Sequence, residues 1–336
     1  MHEQPLRIGI VGAGFMGRVH AEAFRALPGV EITGFVSRDP QHAERLAASF
    51  GGRVYRAEQE LIEDPRVDVV DVTYPTHRHP DLTLAAFAAA KHVICEKPIA
   101  FSLDDADRMI AAGARAGKLL CIPHCVRFWP GYPELQRIAA SGQLGRPLTA
   151  SARRMLPRPP TRMWAGGDAL TGGTVIDVMI HDFDYLNWLF GAPRAVFALG
   201  HARQPGQVDH VFASVRYDGA AALAEGSVLF PPSFPFTSSV RVVCEQGALD
   251  YLVVASGGQA DEPPRVNVLT VYPAAGDPYE APIDPRGAYL IQAEYFVQCL
   301  RAGRAPQIGS GPQAREALRL SLAARDSLQQ GREVAL

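Results

Sequence analysis

Between residues 6 and 122, short β-branched runs alternate with alanine-rich stretches of helical periodicity. A strand that returns parallel to its neighbour needs a crossover connection, so this alternation is typical of a parallel sheet covered by helices. Residues 1–122 are therefore predicted to form a doubly wound α/β domain, with helices near 15–27, 40–50, 80–90 and 104–116. The predicted strands are Leu6–Val11, Glu31–Val36, Asp68–Val72, His92–Cys95 and Lys118–Ile122.

Beyond Pro123 the pattern changes, and residues 123–336 are predicted to form a second domain. A helix near 134–141, a strand near 148–156 and a long helix near 175–190 come first. Six strand-like runs follow with Gly- or Pro-bearing turns, as an antiparallel meander would. They span 194–203, 210–217, 221–230, 239–245, 248–254 and 266–272. Two amphipathic helices, near 288–302 and 312–330, close the chain, and the sequence leaves open which domain they pack against.

Charge and composition exclude several classes of protein. The 33 Lys+Arg against 35 Asp+Glu give a net charge of −2, so no domain-wide positive field is available to hold a nucleic acid. Apolar stretches such as 84–90 end long before the ~20 residues of a membrane helix. The start carries no secretory leader, which predicts a cytoplasmic protein. The five scattered cysteines predict reduced thiols, and Cys121, His124 and Cys125 are too few for a closed zinc site, so no metal is expected.

The most specific local motif is GAGFMG at 12–17, between an apolar strand and a helix. Gly12 permits the tight turn, Gly14 lets backbone N–H groups approach a pyrophosphate, and Gly17 allows close packing of helix and strand. A bare match is weak evidence. The strand, turn, helix and second strand around it support dinucleotide binding over a glycine loop without function.

The choice between NAD and NADP is read about 20 residues further on, where an acid holds the free ribose 2′-hydroxyl in NAD-binding domains. Ser37 and Arg38 occupy that place. A small hydroxyl leaves room for a 2′-phosphate and Arg38 can pair with it, which favours NADP, while Asp39 leaves NAD open. Arg38 could also be a solvated loop residue.

Candidate catalytic residues occur at two places. Lys97 follows the predicted strand 92–95, and carboxyl ends of parallel strands face the cofactor crevice. Pro98 biases Lys97 toward an extended conformation. Asp177 and His181 are four residues apart at the start of an apolar helix, so they are expected to share one face, where a carboxylate can orient a histidine base. Such a pair alone can equally be a surface ion pair or a helix cap.

Taken together, GAGFMG at 12–17, CEKP at 95–98 and GGTVIDVMIHDFDYLNWLFG at 172–191 closely resemble the signatures of the Gfo/Idh/MocA oxidoreductases, in particular the inositol 2-dehydrogenase-like branch. TYPTHRHPD at 73–81, RFWPGY at 127–132 and AYLIQAEYF at 288–296 extend the resemblance over the whole chain. It implies an N-terminal Rossmann domain and a C-terminal α/β domain whose large open, mostly antiparallel sheet mediates dimers or tetramers.

The resemblance also implies roles for individual residues. His181 would take the hydroxyl proton, Lys97 would polarise that oxygen, and Asp177 would hold a neighbouring hydroxyl and steady the imidazole. Arg127 would contact the substrate, and Trp164 would stack on a sugar ring or simply pack. The cofactor contacts that it implies, beyond Gly12, Gly14, Gly17, Ser37 and Arg38, are Phe15, Met16, Thr73, Tyr74, Pro75, His79 and Glu96, with His79 equally open to a structural role.

Some positions depart from the family pattern. His124 and Val126 stand where many relatives carry an Asn and an Arg, and Gln292 replaces the usual Glu. The stretch Arg153–Trp164 also carries Arg154, Arg158 and Arg162 among prolines. A loop there is expected to lie over the substrate cleft, where it would bind an anion or form a solvated or oligomer-contact face.

The predicted function is an NADP- or NAD-linked dehydrogenase that oxidises a secondary hydroxyl of a cyclitol, sugar or related polyol, with hydride passing to nicotinamide C4. The expected partners are this small molecule and further copies of the chain in a homodimer or homotetramer, with neither nucleic acid nor membrane. Two alternatives stay open, because a fold hosts more than one function. One is a glycosidase-type enzyme that retains its NAD, and the other is a non-catalytic dinucleotide-sensing regulator.

Overall fold

A computed structural model describes residues 4–158, 172–203, 208–255 and 264–336. The chain divides into two compact units. The first comprises Met1–Phe128 and Arg286–Arg315, and the second comprises Trp129–Pro285 and Glu316–Leu336.

The first unit contains a six-stranded parallel sheet with the order β3-β2-β1-β4-β5-β6. Its strands are β1 Leu6–Val11, β2 Val30–Val36, β3 Arg53–Val54, β4 Val69–Val72, β5 His92–Cys95 and β6 Leu120–Cys121. Its first five helices are α1 Phe15–Arg25, α2 Pro40–Phe50, α3 Glu58–Glu63, α4 His79–Ala88 and α5 Leu103–Ala116. The strand order reverses direction at β1 and β4, and ligands of such sheets bind at the carboxyl ends beside this point.

The five predicted strands and four predicted helices of this unit are all present, so the doubly wound fold is confirmed. The short strand β3 and the helix α3 were missed, because two and six residues carry little periodicity. The strand predicted at 118–122 is only two residues long.

The segment 286–315 returns to the first unit, which answers the question that the sequence left open for the first closing helix. This helix is α8, Ala288–Arg301. The guanidinium of Arg301 donates hydrogen bonds to the carbonyls of Pro28 and Gly29, at 3.0 and 2.7 Å. Further along, the N–H of Ile122 donates to the carbonyl of Gly309 at 2.7 Å. The predicted boundary after residue 122 lies six residues before the division at Phe128.

The second unit is built on a nine-stranded sheet with the order β14-β13-β12-β11-β7-β10-β9-β8-β15. Its strands are β7 Pro147–Pro157, β8 Ala195–His201, β9 His210–Tyr217, β10 Ala220–Phe230, β11 Thr237–Cys244, β12 Gly247–Val254, β13 Val266–Pro273, β14 Tyr279–Glu280 and β15 Val334–Ala335. The pairs are antiparallel except β7 with β10, so the mostly antiparallel sheet is confirmed. The predicted meander is interrupted, because β7 inserts between β10 and β11.

The two faces of this sheet differ. Helices α6 Gly131–Ala140 and α7 Ile180–Phe190 pack on one face, and the strands alternate between buried and exposed residues as a sheet covered on one side does. The last helix, α9 Gly311–Gln330, runs from the first unit into the second. Among the described helices none is long and apolar enough to cross a membrane.

Candidate functional site

The glycine motif forms the turn between β1 and α1. Gly12 has a φ of +118°, and a Cβ on Gly17 would lie 1.9 Å from the carbonyl oxygen of Gly12, so both positions require glycine. Around Gly14, by contrast, the described atoms leave the space within 4 Å of a Cβ empty. Within the described part of the chain, no side chain caps the start of α1, which leaves its first N–H groups to a ligand. This cradle fits the pyrophosphate of a dinucleotide.

The residues after β2 form the edge where the adenosine ribose of such a ligand would lie. Ser37 is half-buried and Arg38 is exposed. Asp39 is the N-cap of α2, because its carboxylate accepts the N–H of Gln41 at 3.1 Å. Asp39, the acid for which NAD binding stayed possible, therefore already caps a helix.

The loop after β4 closes on the glycine turn. The hydroxyl of Thr73 donates to the carbonyl of Gly12 at 2.8 Å, which ties β4 to β1 at the switch point. Tyr74 is half-buried beneath the guanidinium of Arg78, 5.8 Å from its ring centre. Burial, followed by the charge and hydrogen bond of Glu58, raises the pKa of Tyr74 to about 12, so its phenol stays neutral at physiological pH. Pro75 is exposed on the same loop.

His79 is buried behind this loop. Its Nδ1 lies 2.9 Å from the carbonyl oxygen of Pro98, and its Nε2 lies 2.8 Å from that of Tyr74. Burial lowers the pKa of His79. Each ring nitrogen thus faces a main-chain carbonyl oxygen, to which the protonated nitrogen donates, and this favours the structural role over a direct cofactor contact. The ring links the loop after β4 to the loop after β5.

Lys97 follows the carboxyl end of β5 as predicted, in the first unit and half-buried. Its own N–H donates to Oε2 of Glu96 at 3.0 Å. The peptide bond between Lys97 and Pro98 is cis, which the sequence did not predict.

Two residues that sequence reasoning missed lie against Glu96. His20 on α1 places Nδ1 3.0 Å from both carboxylate oxygens of Asp71 and Nε2 3.1 Å from Oε1 of Glu96. Their exposed fractions are 3% for His20, 0% for Asp71 and 7% for Glu96. The available signal was Asp71 itself, an acid inside the otherwise apolar run of β4, because a buried charge needs a partner.

Asp177 and His181 belong to the second unit. The single long helix predicted at 175–190 was wrong in detail, because Thr174–Val178 is a π-helical segment and α7 begins only at Ile180. A π-helical turn is wider than an α-helical one and is frequent at functional sites. Both residues are half-buried while the three between them are buried, so both keep part of their surface accessible.

The other residues predicted for the substrate, the cofactor or the arginine-bearing loop differ in how far they are buried. Arg127 is buried at 2% exposure, in the short turn Cys125–Phe128 of the first unit. Trp164 and Arg162 lie outside the described residues. Phe15 is exposed and Met16 half-buried at the start of α1.

The prediction of an arginine-bearing loop from residue 153 was wrong for its first two arginines, which lie within strand β7. Arg153 pairs with Glu225 at 2.7 Å on the exposed face of the sheet, whereas Arg154 is buried and pairs with Asp182. The alternation of the strand sends neighbouring residues to opposite faces. Arg158 follows the strand and donates its N–H to the carbonyl of Phe230.

The family is decided by comparison with known proteins. Residues 6–124 match the model described as "Oxidoreductase family, NAD-binding Rossmann fold", and residues 132–250 match that of the "GFO/IDH/MocA C-terminal domain". The chain belongs to the Gfo/Idh/MocA oxidoreductase family. This confirms the resemblance seen in the motifs and makes the chain an NAD(P)-dependent oxidoreductase.

Relatives within the Gfo/Idh/MocA family cover nearly the whole chain. This chain is 28% identical to "Myo-inositol 2-dehydrogenase" of Thermotoga maritima, over 98% of each chain. It is 26% identical to "scyllo-inositol 2-dehydrogenase (NAD(+))" of Bacillus subtilis, over 99% of this chain and 97% of that one. The solved structure of GenD2 from gentamicin A biosynthesis in complex with NAD is 25% identical, covers 100% of this chain and 97% of that one, and superposes with a TM-score of 0.85.

Proposed function

We propose that this chain oxidises a secondary hydroxyl of a cyclitol, sugar or related polyol with NAD or NADP. The observation that carries the proposal is the open cradle at Gly14, which follows the first strand of the same parallel sheet whose fifth strand is followed by Lys97. The inositol dehydrogenases among the relatives support the substrate class. When bound, the cofactor supplies nicotinamide C4 as hydride acceptor.

The chain's own residues would handle the proton and the oxygen. The ammonium of Lys97 donates a hydrogen bond to the substrate oxygen and stabilises the charge that develops there. His181 takes the hydroxyl proton, and Asp177 accepts a hydrogen bond from a neighbouring hydroxyl and orients the imidazole. The proposal requires these residues of the two units to meet at one substrate, with Arg127 and Trp164 as further contacts.

The first test is a spectrophotometric screen of inositols, aldoses and sugar acids with both cofactors. We expect free NADH or NADPH in proportion to oxidised product. If product forms while reduced cofactor never leaves the protein, the glycosidase-type alternative gains. If every compound fails to turn over while the dinucleotide binds, the regulator alternative gains. The two inositol 2-dehydrogenases named above support neither alternative.

The second test concerns Lys97. Lys97→Ala is expected to lower kcat by about 100-fold or more while dinucleotide affinity stays within a few-fold, because the hydrogen bond strengthens in the transition state. Lys118→Ala is the matched control, a half-buried lysine of the same unit that precedes β6. Unchanged turnover in Lys97→Ala would remove this residue from the mechanism.

We also propose that the open face of the nine-stranded sheet pairs with a second copy of the chain, giving a homodimer or a homotetramer. Nine large apolar side chains are exposed among the described residues, and eight of them lie on this sheet. Strand register puts seven of the eight on one face, since for example Leu199 is directly opposite Phe212 and cross-strand partners share a side, whereas Tyr279 is opposite the buried Val271 and lies on the other face. The eight are Phe197, Leu199, Phe212, Leu223, Val243, Leu252, Tyr272 and Tyr279.

A further inference from the structure

The buried cluster of His20, Asp71 and Glu96 adjoins Lys97 through Glu96, within the first unit. Its members come from α1, from the middle of β4 and from the residue that follows β5. Each ring nitrogen of His20 faces a carboxylate, at 3.0 Å for Asp71 and 3.1 Å for Glu96. Nδ1 is hydrogen-bonded to Asp71, and a second carboxylate at ion-pair distance from Nε2 favours the imidazolium form, because opposite charges stabilise the charged ring.

The charges of the cluster follow from these contacts. Burial alone would lower the pKa of His20, but the charges and hydrogen bonds of Asp71 and Glu96 outweigh it and raise the pKa to about 10. Burial would likewise raise the pKa of Glu96, yet the hydrogen bond and charge of His20 lower it. Glu96 is thereby held as a carboxylate although it is buried. Burial raises the pKa of Asp71, although the charge and hydrogen bond of His20 oppose this shift.

Glu96 connects the cluster to Lys97 in two ways. Its Oε2 accepts the main-chain N–H of Lys97 at 3.0 Å, which fixes the peptide that carries the side chain. The charge of Lys97 also lowers the pKa of Glu96, after the larger effects of burial and His20. Linkage is reciprocal, so the carboxylate of Glu96 favours the charged form of Lys97 by the same free energy.

Two other titratable groups of the described residues lie near Glu96. His79, on α4, lowers the pKa of Glu96 when it is protonated, and the buried thiol of Cys95 precedes Glu96 on β5. On the other side of His20, helix α8 presents Tyr289 and the buried Gln292 to a small cavity that His20 also lines. The amide of Gln292 is neutral. A Glu at this position would bring a third carboxylate toward the cluster.

We propose that His20, Asp71 and Glu96 are positioning residues for Lys97, which fix its main chain through Glu96 and hold its ammonium in the charged, donating form. Asp71 anchors His20, His20 keeps Glu96 ionised, and Glu96 contacts Lys97. The proposal rests on the proposed function, in which Lys97 donates to the substrate oxygen.

The test uses a feature of the sequence, which contains three lysines, Lys91, Lys97 and Lys118. Lysine labelled with ¹³C at the ε carbon gives three side-chain NMR signals, which Lys→Arg variants assign. Their titration reports the charge of each ammonium without substrate or cofactor. Glu96→Gln is expected to lower the titration midpoint of Lys97 by about one pH unit or more, because an opposite charge nearby is lost. Lys91 and Lys118 are expected not to move.

Asp71→Asn is the matched control. It removes a carboxylate of similar burial from the same histidine, but not the one bonded to Lys97. We expect it to shift the Lys97 midpoint by less than half as much as Glu96→Gln. A cluster that merely stabilises the fold would give equal shifts or none, and either result would overturn the proposal. In the active enzyme, the alkaline limb of the pH profile of kcat/KM is expected to shift in each variant in the same direction as the titration midpoint of Lys97.

Two further outcomes separate this inference from the proposed function. Should Glu96→Gln not fold, the wild-type titration decides, because the proposal requires Lys97 to titrate no lower than Lys118. Full turnover in Lys97→Ala would reject the proposed function, while the NMR midpoints would still report on the cluster. An inactive Lys97→Ala together with an unmoved midpoint in Glu96→Gln would reject this inference alone.

Discussion

The guanidinium of Arg154 donates two hydrogen bonds to the carboxylate of Asp182, at 2.8 and 3.0 Å, and their side chains are only 4% and 1% exposed. The pair joins β7 to α7, and the guanidinium lies 5.7 Å from the ring centre of Trp129. Burial raises the pKa of Asp182 despite the opposing effect of Arg154. Desolvation therefore offsets much of the attraction within this buried pair.

Removal of one partner leaves the other as an unpaired buried charge. Arg154→Met is therefore expected to lower the free energy of unfolding by about 3–5 kcal/mol. The double variant Arg154→Met with Asp182→Leu is expected to recover most of that loss. Urea denaturation measures both, and Arg153→Met, which breaks only the more exposed pair with Glu225, is the control. A double variant as unstable as the single one would contradict this account.

The glycine turn offers a contrast between stability and binding. Gly17→Ala is expected to destabilise the protein by about 1–3 kcal/mol, because its Cβ meets the main chain of Gly12. Gly14→Ala has open space and is expected to leave stability within about 1 kcal/mol of wild type. It is nonetheless expected to weaken dinucleotide binding at least tenfold, since the methyl group enters the pyrophosphate cradle. Calorimetric titration with NAD and NADP checks the second effect, and unchanged affinity in Gly14→Ala would place the ligand elsewhere.

The buried histidine makes stability depend on pH. The folded pKa of His20 is about 10, above its ordinary value of 6.5, so its contribution is complete below about pH 6.5 and is lost as the pH rises through 10. In that window one proton changes the unfolding free energy by up to about 1.4 kcal/mol per pH unit. Urea denaturation at pH 7, 8 and 9 is expected to show a decline that His20→Asn lacks. Equal slopes in both proteins would mean that His20 is neutral in the folded state.

Cofactor preference is expected to respond to the residue after β2. Ser37→Asp puts a carboxylate where a 2′-phosphate would lie, so the ratio of kcat/KM for NADP to that for NAD is expected to fall at least tenfold. Asp39→Asn is the control, because an asparagine caps α2 equally well. Should Ser37→Asp leave the ratio unaltered, this position does not select the cofactor.

The open sheet face is expected to hold the oligomer together. Leu223→Arg, on β10, puts a charge among exposed apolar side chains and is expected to convert a dimer or tetramer into smaller species. Light scattering coupled to size exclusion measures the mass. Glu44→Arg, an exposed change on α2, is the control. A wild-type monomer would reject the proposed assembly outright.

Periodicity and local motifs were enough to predict much of the molecule. Strands β1 and β5 begin and end close to their predicted positions, because burial on both faces of a parallel sheet leaves a continuous apolar run. Helix α2 also begins and ends where its periodicity predicts. Local steric rules likewise identified Gly12 and Gly17, since a glycine requirement is set by a few neighbouring atoms. Lys97 followed from its place at a strand end.

Other features depend on residues far apart in the chain. His20, Asp71 and Glu96 are separated by 51 and 25 positions and meet only when α1 folds back onto the parallel sheet. Arg153 and Arg154 looked alike in sequence, but the pleat of β7 exposed one and buried the other.

The sequence by itself determined the parallel α/β class and the glycine turn, because each rests on contacts within one or two neighbouring elements, and it nominated Lys97, Asp177 and His181, whose roles stay a prediction. The tertiary structure alone decided the return of 286–315 to the first unit, the insertion of β7 between β10 and β11, and the charges around Lys97. These depend on long-range packing, whose free energy comes from desolvation and contacts between distant segments that no local pattern records.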